Sequence, residues 1–194
     1  MDDMNNRNST ATIKNILFAM SLVLLAVTWR IINHNYNFAP NLELVTTVSV
    51  IAAVIIGFRA ALFVPLATMV VSDIIIGNSS IFIFTWGSFV LIGLGANLLR
   101  KLNNKPKLQV LSSVGFAITS SFLFFVVTNL GVWLQGWYPA TFAGLTDSYI
   151  MAIPFYRTML IGNLVLVPAS IAVWQLYKAK QAARNLVVDT FIGK

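Results

Sequence analysis

The chain has 194 residues, of which 58% are hydrophobic and only 10% are charged, and its mean hydropathy is +0.80. A soluble domain carries about 25% charged residues, so the composition excludes an ordinary soluble protein and predicts an integral membrane protein of about six spans. The absence of cysteine excludes disulfides and thiolate metal ligands, and the single His34 excludes a histidine-cluster metal site. No nucleotide-binding loop of the G-x-x-x-x-G-K type is present, so any ATP-driven step requires another chain.

Six apolar segments predict one membrane domain at residues 13–177, between a polar N-terminal tail at 1–12 and a C-terminal tail at 178–194. The predicted spans are 13–32, 44–58, 60–77, 81–99, 108–127 and 148–177. Segment 128–147 is rich in glycine and aromatic residues, too polar for a plain span and too apolar for a free loop. We expect this segment to be either a re-entrant segment or a mobile lid.

The positions of Lys and Arg indicate the orientation of the spans. With six spans, all but two of the 13 basic residues fall on one face, and the opposite loops, 34–43, 78–80 and 128–147, contain none. By the positive-inside rule, both termini are cytoplasmic, and we expect a multi-pass protein of a bacterial cytoplasmic (inner) membrane. This distribution explains the net charge of +7 without a nucleic-acid partner.

One carboxylate, Asp73, lies inside the third apolar segment. An ionisable group at that depth costs several kcal/mol unless it is paired or faces a polar cavity, so it is a functional-site hypothesis by default. At about 1.5 Å per helical residue, Arg30 and Arg157 lie in the same outer half as Asp73, and His34 follows one turn beyond Arg30. We predict that these four side chains line one outward-open cavity. The alternative is a structural ion pair between Asp73 and Arg157, with Arg30 extending to the surface.

The aromatic side chains are distributed unevenly along the predicted spans. Those in the outer half or the outer loops are Trp29, Tyr36, Trp86, Trp133, Trp137, Tyr138, Tyr149 and Tyr156, whereas only Trp174 and Tyr177 lie near the inner face. An interfacial belt of aromatic residues would occupy both faces. The uneven distribution therefore favours a planar, partly polar ligand that binds from outside.

Five motifs carry a resemblance to a known family. They are R-I-x-x-H-x-x-N-F-x-P at 30–40, V-P-L-A with S-D at 64–73, V-T-N-x-G-V-W at 127–133, Y-P-x-T-x-x-G-L at 138–145 and Y-x-x-A-x-P-F-x-R at 149–157. Over about residues 25–175 the chain resembles DUF6580, a family of small six-span bacterial membrane proteins of unassigned function that are described as candidate transport proteins.

The same arrangement is similar to small solitary cobalamin-uptake proteins related to the S components of energy-coupling-factor (ECF) transporters. This resemblance implies a six-transmembrane-helix bundle of S-component type that binds a vitamin from outside, with His34, Asp73 and Arg157 at the binding site. Cobalamin carriers of that type can use a cysteine as a cobalt ligand. Because this chain has no cysteine, His34 is the side chain that could ligate cobalt if the substrate is a corrinoid.

We therefore expect an all-α, substrate-binding membrane transport protein for a vitamin-type small molecule, with cobalamin or another corrinoid as the leading candidate. We expect no catalytic activity and no resident cofactor. The expected partners are the ligand, the lipid bilayer and an energy-coupling membrane subunit with its ATPases. The expected ligand-binding residues are Arg30, His34, Asp73, Trp86, Asn129, Trp133, Tyr138, Tyr149 and Arg157.

Two other functions stay open at this point. The first is a membrane enzyme that acts on a lipid or isoprenoid head group, with Asp73 as general base and the arginines as a phosphate clamp. A second carboxylate for such chemistry is available only from Glu43 or Asp147, both in predicted outer loops. The second is an accessory subunit of a membrane complex, in which the buried charges only hold helices together.

Overall fold

The computed structural model describes the backbone of residues 2–192 and the side chains of residues 12–188. This part of the chain forms six α-helices and no strand, which confirms the all-α prediction. The helices are α1 (Asp2–Tyr36), α2 (Val45–Ile55), α3 (Phe58–Ile76), α4 (Phe82–Arg100), α5 (Pro106–Leu134) and α6 (Phe142–Ile192).

Five of these helices are long and apolar enough to cross a membrane: α1 from Thr12 onward, α3, α4, α5, and α6 as far as Val188. Large apolar side chains such as Leu24, Ile74 and Phe142 are exposed on their outer surfaces. A contiguous apolar surface of this kind is unfavourable in water and is the surface that lipid covers. The architecture is that of a membrane-embedded, multi-pass protein.

Helix α2 is shorter than the span predicted at 44–58. It has 11 residues and therefore a length of about 16 Å, whereas the hydrocarbon core of a bilayer is about 30 Å thick. Nine of its residues are buried, and it packs against α1, α3, α4 and α6. The second apolar segment is thus a short central helix surrounded by protein.

The segment at 128–147 is mostly helical. Helix α5 continues to Leu134 and α6 begins at Phe142, so only residues 135–141 connect the two helices. The indole of Trp137 in this turn donates a hydrogen bond to Ser80 at 3.1 Å, which ties the turn to the α3–α4 connection. The structure therefore has two helix ends and a tethered turn where a re-entrant segment or a lid was expected. Of the predicted tails, residues 2–12 and 178–192 are helical and continue α1 and α6.

The bundle has two ends that differ in chemistry. The basic end is where α2 and α4 finish and α3 begins, and it carries Arg59, Arg100 and Lys101. The cavity end is where α1 and α3 finish and α4 begins, at Tyr36, Ile76 and Phe82.

A polar network centred on Asn103 closes the basic end. Its side-chain amide donates to the backbone carbonyl of Val54 in α2 at 3.1 Å, and its side-chain oxygen accepts from Gln109 at 2.9 Å and from the Trp174 indole at 3.2 Å. The ammonium of Lys178 donates to the Asn103 carbonyl at 2.6 Å. These bonds join α2, α5 and α6 through the α4–α5 connection.

A close contact between α3 and α4 sets the position of the residues nearer the cavity end. Pro65 in α3 has no N–H to donate to the carbonyl of Ala61 one turn earlier. Gly93 of α4 packs against that carbonyl, and a side chain at position 93 would overlap it. The absence of a side chain therefore allows the two helix backbones to approach closely. Farther along the same pair of helices lie Asp73 and Trp86, which belong to the candidate site.

Candidate functional site

Asp73 and Arg30 form an ion pair that joins α3 to α1. The Nη2 atom of Arg30 donates to Oδ1 of Asp73 at 2.7 Å, and its Nε donates to Oγ of Ser72 at 2.7 Å. Ser72 donates its own hydroxyl proton to the Thr68 carbonyl at 2.7 Å, so its oxygen is available to Arg30 as an acceptor. The side chains of Arg30 and Asp73 are only 20% and 7% exposed. Of the two arginines predicted to pair with Asp73, the structure brings Arg30 to it.

The second oxygen of Asp73 is occupied by Trp86. The indole Nε1 donates to Oδ2 at 2.7 Å from α4. Both carboxylate oxygens therefore accept hydrogen bonds, one of them from a cation, and such charge-assisted bonds are strong. Asp73 is held in place and orients Arg30. The described bonds use two of the five guanidinium N–H groups, which leaves donors on Arg30 for a ligand.

A cavity of about 580 Å³, here called the charged chamber, opens beside this cluster at the cavity end. Four asparagines contribute to its lining, and two of them, Asn37 and Asn41, have positive φ values of 47° and 62°, which asparagine tolerates better than most residues. Its polar lining residues include Arg30, Asn33, His34, Asn37, Asn41, Glu43, Asp73, Asn78 and Thr85, and its apolar ones include Met69, Phe89, Phe124 and Met159.

Segment 37–44, which connects α1 to α2, is held in the chamber wall by side chains of α1. Asn33 bonds to Ala39 in both directions, at 2.9 and 3.1 Å, and also donates to the carbonyl of Leu42 at 3.1 Å. The indole of Trp29 donates to the same Leu42 carbonyl at 2.8 Å. These bonds fix the backbone of the segment, so its side chains lie at defined positions in the cavity.

Glu43 is a buried member of the charged chamber that the expected set of ligand-binding residues omits. It is 8% exposed, and its carboxylate accepts from the backbone N–H of Thr46 at 2.9 Å and from the Thr46 hydroxyl at 2.6 Å. These bonds cap the first turn of α2, where backbone N–H groups lack helical partners. Burial raises the pKa of Glu43, and this effect outweighs the opposing bonds from Thr46 and the charge of Arg30.

A second cavity of about 420 Å³, here called the aromatic chamber, adjoins the first. The two share Asn41, Phe124 and Met159 in their linings, so these three side chains separate two adjacent cavities. Its lining is mainly aromatic and apolar, with Asn41, Asn129 and Ser148 as polar members. The aromatic lining residues are Phe124, Phe125, Trp137, Tyr138, Phe155 and Tyr156.

The expected ligand-binding residues divide into three groups. Arg30, His34 and Asp73 line the charged chamber, and Asn129 and Tyr138 line the aromatic chamber. Trp86, Trp133 and Tyr149 line neither chamber and bond within the protein instead. Trp86 bonds to Asp73, while Trp133 and Tyr149 donate to the carbonyls of Pro139 at 3.0 Å and Val126 at 2.9 Å.

Arg157 also lines neither chamber, and it is the one charged member of the expected set that the structure places away from the site. It is exposed, whereas its neighbour Tyr156 and, one turn on, Met159 face the site. Successive residues of an α-helix are rotated by about 100°, so a residue next to an inward-facing one points elsewhere. The expected convergence of Arg157 with Asp73 is not what the structure shows.

The metal-binding expectation concerned His34 alone. This residue lies on the charged chamber, at its exposed side. Within residues 12–188, no three His, Asp or Glu side chains are grouped closely enough to hold a metal ion. A role of His34 toward cobalt therefore stays a prediction that applies only to a corrinoid substrate.

Several residues that line the two chambers are absent from the expected set of ligand-binding residues, and for most of them the local sequence resembles that of an ordinary loop or core. Glu43 has a local signal, since a carboxylate three residues before Thr46 and at the start of an apolar run is typical of a helix cap. Asn33 and Asn41 lie within or beside the first motif but carry no distinguishing spacing. Phe124 and Met159 are indistinguishable in sequence from lipid-facing or core residues.

Comparison with known proteins gives one match. The model of DUF6580, a family of unknown function, matches residues 10–185. No curated protein and no solved structure matches the chain. The family predicted from the motifs is thus confirmed, while the family description contains no link to transport or to ECF S components.

Proposed function

We propose that the chain, which belongs to the DUF6580 family, is a multi-pass membrane transport protein that binds a small molecule in the two adjacent chambers. The observation that carries this proposal is the pairing of a charged chamber of about 580 Å³ with an aromatic one of about 420 Å³. Ligand pockets typically measure about 300–1,000 Å³ and combine an apolar wall with a few fixed polar groups. Charged side chains within a membrane protein rarely face lipid, and they commonly lie along a substrate or ion pathway.

The two linings define the class of ligand. Arg30 is oriented by Asp73 and Ser72 and retains free N–H donors, which favours a carboxylate, phosphate or amide oxygen. The aromatic chamber favours a flat ring, since aromatic side chains pack well on ring faces. A vitamin-type molecule with one ring system and one polar group fits this description. A corrinoid is a larger macrocycle and would have to occupy both chambers, with its metal toward His34.

The proposed topology has six crossings with both termini on the cytoplasmic side of a bacterial inner membrane. Helix α2 begins beside Glu43 in the charged chamber and finishes at Ile55, and the carbonyl of Val54 in its last turn accepts a hydrogen bond from Asn103 at the basic end. It therefore runs from the chamber to the opposite end although it is short. The basic end would face the cytoplasm by the positive-inside rule, and the chambers would open outward. An S-component type of fold and a coupling subunit rest on the motif resemblance alone.

Co-purification tests this function. The protein is purified in mild detergent, and small molecules released from it are identified by mass spectrometry and absorbance. We expect a bound molecule in the wild type and in Arg157→Gln, because Arg157 lines neither chamber. In Arg30→Gln we expect the bound molecule to be lost. The double variant Arg30→Gln with Asp73→Asn removes both members of the ion pair, so neither is left without its partner, and it separates loss of ligand from loss of folding.

Two outcomes would count against the proposal. One is the absence of any released molecule from wild-type protein expressed in cells supplied with vitamins. The other is equal retention by Arg30→Gln and Arg157→Gln, since binding would then not involve the charged chamber.

One observation favours a second candidate, an enzyme acting on a lipid or isoprenoid head group. Glu43 lies in the charged chamber with Asp73, so the second carboxylate that such chemistry would use is within the site. Asp73 itself is held by Arg30 and Trp86, which leaves Glu43 as the candidate base. Release of product from a supplied phospholipid or isoprenyl phosphate, abolished in Glu43→Gln, would establish this alternative.

A further inference from the structure

The charged chamber contains one guanidinium and two carboxylates. Arg30 and His34 come from α1, Asp73 comes from α3, and Glu43 comes from the segment before α2. The residues that α4, α5 and α6 contribute to this lining are uncharged: Thr85, Phe89, Phe124 and Met159. One guanidinium cannot fully compensate two buried carboxylates, so the chamber carries an excess negative charge unless it takes up a cation.

The hydrogen bonds indicate which of the two carboxylates can accept a proton. The two short bonds to Asp73, at 2.7 Å each, come from groups that can only donate, the guanidinium of Arg30 and the indole of Trp86, whereas the Ser72 hydroxyl lies farther from Oδ1, at 3.4 Å. Protonation of Asp73 would break one of these short bonds. Glu43 bonds instead to the Thr46 hydroxyl, which can donate to a carboxylate or accept from a carboxylic acid. The bonding of Glu43 therefore suits both of its protonation states.

We propose that Glu43 is the proton-binding site of the charged chamber and that the proton it carries is the co-substrate of transport. A proton from the solution at the cavity end forms an O–H bond with the Glu43 carboxylate, and the group becomes neutral. The chamber then has a balanced pair, Arg30 with Asp73, and can accept an anionic ligand group beside Arg30. Release of the proton restores the negative charge and disfavours that group.

The transport step rests on the proposed function, whereas the proton-binding site rests on the geometry of the chamber alone. Burial raises the pKa of Glu43, which is the direction that the site requires. Proton relays in membrane proteins are built from carboxylates of this kind, which are buried, line a cavity and lie near another charge. A proton as co-substrate would also supply an energy source without a nucleotide-binding loop in this chain.

The composition of the chain makes the test unusually specific, because Glu43 is its only glutamate. Protein is produced with ¹³C in the glutamate side-chain carboxyl carbon and purified in detergent without added ligand. Infrared spectra are recorded against pH, and the C=O stretch of a protonated carboxyl group is followed. The isotope shift assigns the band to Glu43 in the wild-type chain, so the test does not depend on a variant that removes the α2 cap.

We expect the labelled band to persist above pH 4.5, the ordinary pKa of a glutamate. Asp147→Asn removes an exposed carboxylate and should leave the midpoint unchanged. Asp73→Asn should lower the midpoint, because Arg30 then faces Glu43 alone, and Arg30→Gln should raise it. Two results would overturn the proposal that Glu43 binds a proton. One is a labelled carboxyl group that is fully ionised by pH 5, and the other is a titration midpoint that moves in neither Asp73→Asn nor Arg30→Gln. Failure of the co-purification experiment would leave this result standing, so the two proposals fail separately.

Discussion

The indole of Trp86 and the carboxylate of Asp73 connect α4 to α3 through a hydrogen bond of 2.7 Å. Tryptophans near membrane interfaces commonly serve as anchors in the head-group region. Trp86 has a different role, since its N–H points to a buried carboxylate that also receives Arg30. The bond fixes the rotation of Asp73 and so determines where the Arg30 guanidinium lies in the charged chamber.

Replacing Trp86 by Phe should destabilise the protein. The substitution keeps an aromatic ring but leaves Oδ2 of buried Asp73 without its donor, which costs about 1–3 kcal/mol. Thermal unfolding in detergent, followed by circular dichroism, measures the effect. Trp137→Phe is the matched control, because its indole bonds to Ser80 at an exposed position, and we expect a change within about 0.5 kcal/mol. Equal losses of stability in the two variants would show that the bond from Trp86 to Asp73 stabilises the protein no more than the exposed bond from Trp137 does.

The Arg30–Asp73 pair should show strong coupling in a double-mutant cycle. Asp73→Asn leaves a largely buried guanidinium without the carboxylate bonded to it, and breaking such a pair costs up to about 3–5 kcal/mol, less here because Arg30 is 20% exposed. Arg30→Gln should cost a similar amount, whereas the double variant should be more stable than the sum of the two losses predicts. Unfolding midpoints of all four proteins give the coupling energy. Additive losses would mean that the two side chains do not stabilise each other.

The sequence predicts the helices well where an apolar run has clear limits and poorly where burial arises from packing. Segment 44–58 is apolar enough for a span, yet α2 covers only Val45–Ile55. Gly57, with a φ of 126°, lies in the turn to α3 after it, and before it segment 37–44 folds into the chamber wall instead of extending the helix. That fold depends on bonds from Asn33 and Trp29 to backbone carbonyls. A backbone acceptor exists at every residue, so such bonds have no counterpart in the sequence pattern.

The same limit applies to the candidate site. Asp73 and Arg30 are recognisable because charges are rare at membrane depth, and their pairing follows from similar depth. The placement of Arg157 depends instead on the rotation of α6. In a soluble helix an amphipathic pattern would indicate the buried face, but in a membrane helix both faces are apolar, so the rotation is not encoded in hydropathy. For a related reason the sequence places Glu43 only in a predicted outer loop, since its burial depends on the fold of segment 37–44.

The contact between α3 and α4 at Gly93 provides a test of packing that leaves the charges unchanged. In Gly93→Ala the new methyl group would overlap the Ala61 carbonyl, and overpacking of this kind costs about 1–3 kcal/mol. Gly87 lies in the same helix with open space around it, so Gly87→Ala should stabilise by about 0.5–1 kcal/mol through helix propensity alone. Thermal unfolding of the two variants side by side distinguishes packing from propensity. A loss in both would place the effect in the helix itself and not in the α3–α4 contact.

The stability of the protein should depend on pH through Glu43. Because its pKa is raised in the folded state, the folded protein holds the proton more tightly than the unfolded chain, whose glutamate titrates near 4.5. This contribution to stability is complete below pH 4.5 and is lost as the pH rises through the raised pKa. Glu43→Gln carries no titratable group at this position, so its stability should lack that decline.

The quantity to measure is the difference in unfolding midpoint between wild type and Glu43→Gln across the pH range, with Asp147→Asn as the control. The exposed Asp147 should give a difference that is nearly independent of pH. For Glu43 the advantage of the wild type should be greatest at acidic pH and should shrink as the pH rises. An advantage that grows with pH would mean that Arg30 and Thr46 lower the pKa of Glu43 by more than burial raises it. The carboxylate would then be a fixed negative charge at the start of α2 and could not carry a proton.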